Sequence, residues 1–90
     1  MNTFIYATGL PLDIDQDECK EFFAKCGVIQ LDRNTGQLKI KLYTDDNGKL
    51  KGDARIGYAN LESVELALDM LDGSEIRPGY PVKVEQATFE

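Results

Sequence analysis

Along Thr3 to Gly9 apolar and polar side chains alternate. Ile5 and Ala7 point one way, and Phe4, Tyr6 and Thr8 the other. A period of two predicts a strand with one buried face, and Gly9-Leu10-Pro11 ends it. The period then lengthens. Cys19, Phe22, Phe23 and Cys26 fall at helical spacing, so a helix is expected behind Asp15 as N-cap, with Glu18 completing a capping-box-like pair and Gly27 as the stop. Val28 to Asp32 is a short apolar run that the pattern assigns to no element, and Asn34-Thr35-Gly36 reads as a turn. Leu38 to Thr44 alternates again, with Leu38, Ile40 and Leu42 inward and Lys39, Lys41 and Tyr43 outward. Asn47-Gly48 between two alternating runs predicts a hairpin into Leu50 to Ala59. Asn60 is the expected cap of a second helix, whose main apolar stripe is Leu61, Val64, Leu68 and Leu71, closed by Gly73. Glu75 to Pro81 reads as a loop with two prolines. Val82 and Val84 turn inward on a last strand, with Lys83 and Glu85 outward.

The order is therefore βαββαβ. Short connections and right-handed crossovers give it one arrangement, the α+β ferredoxin-like fold. The expectation is a four-stranded antiparallel sheet, order 4-1-3-2, with both helices on one face and the other face open. Ninety residues make a single domain of modest core. The abrupt end after Glu90 reads as a domain cut from a longer protein.

Composition changes the picture only when placed on this fold. The net charge is −6, from 16 acids and 10 bases, which taken alone argues against a nucleic-acid binder. The acids, however, gather on the helices: Asp15, Asp17, Glu18 and Glu21 on the first, Glu62, Glu65, Asp69 and Asp72 on the second. The open face of the sheet collects Lys39, Lys41, Arg55 and Lys83 against Asp53 and Glu85. A cationic surface interleaved with Tyr6, Tyr43 and Phe4 is what single-stranded RNA requires.

Other chemistries find no support. There is no His, the commonest general base and metal ligand. Cys19 and Cys26 share a helical face but lie about 10.5 Å apart along the axis, too far for a disulfide, and read as buried thiols of an intracellular protein. Asp45-Asp46-Asn47-Gly48 lacks calcium-loop spacing and is explained by the hairpin. No apolar run approaches a membrane span, and no signal peptide is visible. Acylphosphatases share the fold, but Gly9-Leu10-Pro11-Leu12-Asp13 has an acid and no base where they cradle phosphate. No catalytic residue, metal or cofactor is expected.

Lys51-Gly52-Asp53-Ala54-Arg55-Ile56-Gly57-Tyr58 has the frame of the octamer of RNA-recognition motif (RRM) domains, K/R-G-F/Y-G/A-F-V-x-F/Y. Ile5-Tyr6-Ala7-Thr8-Gly9-Leu10 resembles the shorter RRM hexamer, with Tyr6 at its exposed aromatic place. The core side of the octamer is intact, but Asp53 and Arg55 stand where two aromatics should form a platform for bases. Stacking is worth roughly 1–3 kcal/mol per base, so the loss of two platforms removes roughly 2–6 kcal/mol. Weak binding is expected: Tyr6 stacking a base, Tyr43 and Arg55 flanking it beside Thr8, and Lys39, Lys41, Lys51 and Lys83 holding phosphates. Asp53 would repel phosphate unless Lys39, Lys41 or Arg55 neutralises it.

Nearly the whole chain resembles the first RRM of the Tat-specific factor and cold-sensitive U2 snRNA suppressor family of splicing factors. The most specific parts are Gly9-Leu10-Pro11, Lys41-Leu42-Tyr43, Leu50-Lys51-Gly52-Asp53, Glu62-Ser63-Val64-Glu65-Leu66-Ala67-Leu68 and Glu75-Ile76-Arg77. The resemblance implies a nuclear splicing module associated with the U2 snRNP, and a monomer is expected. Its expected partners are single-stranded RNA, such as snRNA or pre-mRNA, and splicing-factor proteins. It also makes Asp53 a family trait. The alternative is a protein-interaction RRM, in which Asp15, Asp17, Glu18 and Glu21 resemble the acidic first helix of RRMs that bind Trp-containing peptides. Against it, Ser74-Glu75-Ile76 stands where their Arg-x-Phe loop should be. Phe89 has two readings, folded over the sheet or projecting away from it.

Overall fold

Ile5 and Ala7 are fully buried, while Phe4, Tyr6 and Thr8 between them are half-buried. The alternation thus sets the faces of the central strand. A computed structural model describes residues 3–87, so Thr88 and Phe89 lie outside the described residues. The elements are β1 (Phe4–Thr8), α1 (Gln16–Phe23) with a 3-10 turn (Ala24–Cys26), β2 (Ile40–Thr44), β3 (Leu50–Gly57), α2 (Leu61–Met70), β4 (Glu75–Arg77), β5 (Tyr80–Pro81) and β6 (Lys83–Gln86). The main sheet runs β2-β3-β1-β6 with every pair antiparallel, the expected order with β6 as the last strand.

Both helices press their apolar residues on one side of the sheet. Cys19, Phe22 and Phe23 of α1 and Val64 and Ala67 of α2 join Ile5, Ala7, Ala54, Ile56 and Val84 in one core. Tyr58 closes it: fully buried, it donates its hydroxyl to the Phe23 carbonyl at 2.7 Å, and burial pushes its phenol well above the ordinary range. Gly27 brings the chain after α1 against α2. A Cβ there would lie 1.9 Å from Ser63 Oγ, and the backbone φ is +152°. Both cysteines are free and buried, and burial raises both thiols, Cys19 to about 12.

Four expectations need correction. Glu75 to Pro81 is not all loop: β4 and β5 form a small antiparallel hairpin, which the prolines disguise because they cannot donate to a ladder. Leu61 is exposed, and the buried stripe of α2 is Ser63, Val64, Ala67 and Leu71, with Leu68 partly covered. Asn60 sits at the N-cap without a side-chain capping bond. Asp15 does cap α1, accepting from the Glu18 amide at 2.8 Å, but the Glu18 carboxylate turns to Arg77 instead of completing a box.

The unassigned stretch Val28 to Asp32 runs beside the end of β3. Ile29 bridges Tyr58, the Gln30 amide donates to Gly57, and the Lys39 amide donates back to Gln30. A tight turn at residues 32–37 then feeds β2. Asn47-Gly48 is the expected hairpin, stitched by Asp45 Oδ1, which accepts from the Asn47 and Lys49 amides.

Candidate nucleic-acid interface

Antiparallel register turns the sequence pattern into rows across the open face. Lys41 stands opposite Arg55, Arg55 opposite Tyr6, and Tyr6 opposite Glu85, so one row crosses all four strands. Beside it, Thr8 faces both Asp53 and Lys83. On the other side, Phe4 faces Gly57, whose amide donates to the Lys39 carbonyl. Tyr6, Thr8, Lys39, Lys41, Arg55 and Lys83 are thus brought together. Tyr43 joins them at the register shift between Leu42 and Thr44, its ring edge-on to Tyr6 with centroids 6.1 Å apart. Lys51 is placed differently. It precedes the kink at Gly52 (φ +89°), whose carbonyl accepts from Leu10, and is exposed at the irregular start of β3.

Asp53 is the unexpected member. Its hydrogen-bond partner is the Tyr6 hydroxyl, which donates to Oδ2, and among the described residues neither Lys39 nor Lys41 forms an ion pair with it. The adjacent carboxylate holds the phenol's proton, raising Tyr6 to about 12. Asp53 Oδ1 is buried and receives no hydrogen bond from any described residue. The carboxylate therefore fixes the Tyr6 ring and keeps much of its charge off the surface.

The cations rest on aromatic faces. Lys41 Nζ lies 5.1 Å from the Tyr43 centroid, Lys39 Nζ 5.8 Å from Phe4, and the Arg55 guanidinium 5.2 Å from Phe4. Phe4 owes its position to Gly57: any Cβ there would come within 2.5 Å of the ring. Among the described residues, ion pairs form only at the helix side, where Arg77 forks onto Glu18 with two bonds of 2.6 Å and reaches Asp13 at 2.7 Å. That hydrogen-bonded guanidinium lowers the Glu18 carboxyl and raises Arg77 in turn. Of the acids proposed for a peptide-binding helix, Asp15 is thus engaged in capping and Glu18 in an internal ion pair.

The half-buried tyrosine, the stacked cations and the kinked Lys-Gly start of β3 occupy the hexamer and octamer frames on the helix-free side of the sheet. Residues 5–79 match the family model described as RNA recognition motif. The chain belongs to the RNA recognition motif family. It is 51% identical over 89 residues to the 17S U2 SnRNP complex component HTATSF1 of Mus musculus, covering 99% of this chain and 12% of that protein. To the Cold sensitive U2 snRNA suppressor 2 of Saccharomyces cerevisiae it is 44% identical over 90 residues, covering 99% and 31%. The Splicing factor U2AF-associated protein 2 of Schizosaccharomyces pombe is 41% identical over 92 residues, covering 100% and 25%. This RRM therefore spans between 12% and 31% of those relatives. The family resemblance carried by its motifs is borne out. Among solved structures, the RRM of RNA15 superposes with a TM-score of 0.80 at 20% identity, covering 97% of this chain and 91% of that one. The Sxl-lethal protein in complex with RNA gives 0.79 at 26%, covering 94% and 47%.

Within this RRM, pattern reading missed two things. Phe4, expected on the open face, carries Lys39 and Arg55 on its ring, and Gly57 leaves room for it; the sequence signal was that glycine. The tie between Tyr6 and Asp53 had no sequence signal, because side-chain pairing across 47 residues leaves no periodicity.

Proposed function

We propose that this RRM is a single-stranded RNA-binding module of a U2 snRNP-associated splicing factor, acting in the nucleus as one domain of a longer chain. It binds weakly as a monomer, alongside protein partners of the same assembly, and catalyses no reaction. The observation that carries this reading is the row Lys41–Arg55–Tyr6–Glu85 on the helix-free face, with its tyrosine fixed by Asp53. Tyr6 stacks one base. Arg55 flanks it with a planar cation able to stack or to reach phosphate. Lys39, Lys41, Lys51 and Lys83 meet the backbone, Thr8 offers a hydroxyl beside Lys83, and Tyr43 buttresses Tyr6. Such contacts position RNA with little base discrimination.

Weak binding follows from chemistry. One true aromatic platform remains where the family pattern provides three, and a net charge of −6 opposes association at long range. The relatives named for U2 snRNP and U2 snRNA support the assembly assigned here. The test is an amide-shift titration with short single-stranded RNA at two salt concentrations. Tyr6 and Arg55 should shift, and the affinity should fall with a log–log salt slope of roughly −1.5 to −3, the value for two to four phosphate contacts on a single strand. No response at millimolar RNA refutes the proposal.

A further inference from the structure

The two helices meet solvent differently. Outside its packed residues α1 shows Asp17, Lys20 and Glu21, with Lys25 on the turn that follows. Both signs of charge mix there, and among the described residues α1 exposes no large apolar side chain. That is an ordinary solvated helix face. On α2 two neighbouring rows reach solvent at helical spacing: Glu62, Leu66 and Met70 in one, Leu61, Glu65 and Asp69 in the other. Leu66 is 41% exposed and Met70 60%. Three acids and no base stand among these apolar residues.

The isolated fold gains nothing from this face. Glu65 and Asp69 are like charges one turn apart, and Asp69 adds negative charge at the helix end that is already negative. Asp72, by contrast, has structural work, its Oδ1 accepting from the Val84 amide at 2.9 Å. Among the described residues no base forms an ion pair with Glu62, Glu65 or Asp69, and no segment covers Leu66 and Met70. At the start of α2 a cleft of about 330 Å³ is lined by Ala59, Leu61, Glu62 and Glu65. Its apolar residues suit the methylene stem of a long basic side chain, and its two carboxylates suit the head group.

We propose that the outer face of α2 docks a basic amphipathic helix of a protein partner. Apolar side chains of that helix cover Leu66 and Met70, and its lysines and arginines meet Glu62, Glu65 and Asp69. The two rows of α2 are the ridges against which another helix packs. RNA and anionic lipid are repelled by the same acids. The acids of α1 take no part. The buried side of α2 packs on the sheet face opposite Tyr6, so this contact neither requires RNA nor blocks it. Two weak attachments to one assembly then reinforce each other through effective concentration.

The probe is a short synthetic amphipathic helix of leucine and lysine, titrated into the whole chain with amide shifts as readout. It should shift residues 61–72 and leave Tyr6 and Arg55 still. Glu65→Lys with Asp69→Lys should lower its affinity about tenfold. Asp17→Lys with Glu21→Lys makes the same change of net charge on α1 and should leave the affinity within about twofold. Leu66→Ser keeps the charge and should weaken binding about fivefold. If both charge reversals cost the same, the peptide follows net charge and α2 is not a docking face. The proposal also falls if Leu66→Ser has no effect, or if millimolar peptide leaves residues 61–72 unshifted. Shifts of α2 that grow with protein concentration alone would give the face to a second copy and overturn it too. A uridine pentanucleotide added to the peptide-bound chain should leave the α2 shifts in place. Displacement would put both ligands on one surface and refute the separate site.

Discussion

Glu18 on the helix side and Asp53 on the open face are both half-buried carboxylates with opposite partners. Glu18 is gripped by the Arg77 guanidinium. Asp53 takes one hydroxyl, from Tyr6, and leaves Oδ1 buried without a donor among the described residues. The helix side thus neutralises part of its charge internally. Among the described residues the open face keeps Lys39 and Lys41 out of ion pairs, on aromatic rings, where a phosphate can displace a weak cation–π contact and not a salt bridge. An anionic chain presents lysines this way: of the open face's two acids, Asp53 is held by a neutral hydroxyl and Glu85 lies opposite Tyr6, and among the described residues neither pairs with Lys39 or Lys41.

Two glycines sharpen the same contrast. Gly27 exists to seat α2, and Gly57 to make room for a ring on the open face. Gly27→Ala drives a Cβ into buried Ser63 at a positive φ, and should cost about 3 kcal/mol of folding stability. Denaturant melts should show this loss, with RNA affinity unchanged wherever the variant is still folded. A comparable affinity loss would mean that the two sides are not independent. Tyr6→Ala attacks the other side. Losing the stacked base should lower RNA affinity about 30-fold, roughly 2 kcal/mol, measured in the same titration. An unchanged affinity would remove Tyr6 from the interface.

What could be read from the chain alone was what is local or periodic. The β1 alternation, the Asp15 cap, the Asn47-Gly48 hairpin and the octamer frame carry strand order and facing. The misses have a common physical origin. Arg77 meets Glu18 across 59 positions and Tyr6 meets Asp53 across 47, and neither pairing leaves a repeat in the chain. Leu61 fits the helical period but falls at the first turn of α2, where the helix emerges from the core. Val28 to Asp32 follows β3 by isolated bridges, too short a pairing to produce alternation. The tyrosine and lysines of the open face were therefore legible, while the bond that ties Asp53 to Tyr6 was not.

Asp53→Phe tests that organisation by restoring the family's aromatic. If Asp53 trades a platform for a fixed Tyr6, the variant should bind RNA about tenfold more tightly, the low end of one added stacking contact. Its Tyr6 phenol should fall from about 12 toward 10, followed through the ring signals of Tyr6 in NMR. The sign of the linkage is definite. A folded value raised above the unfolded one contributes stability that is complete below pH 10 and is lost as pH rises through about 12. Wild type should lose that contribution over this window, and Asp53→Phe should not. Weaker RNA binding by the variant would mean that fixing Tyr6 matters more than a second ring.

Arg77→Ala should have the smallest effect at neutral pH, because its ion pairs are substantially open to solvent. It should leave RNA affinity unchanged, since Arg77 joins α1 to β4 on the side away from the tyrosines. Its signature is in acid. Arg77 holds the folded Glu18 carboxyl below its ordinary 4.5, so the pair contributes stability above that pH and loses it as pH falls through the lowered folded value. Wild type and Arg77→Ala should therefore converge in urea midpoint as pH drops below 4.5 and stay apart above it. A gap that persists into strong acid would show that Arg77 stabilises the β4–β5 hairpin by packing and not by charge. Helix side and open face would then differ in shape and no longer in how each handles a carboxylate.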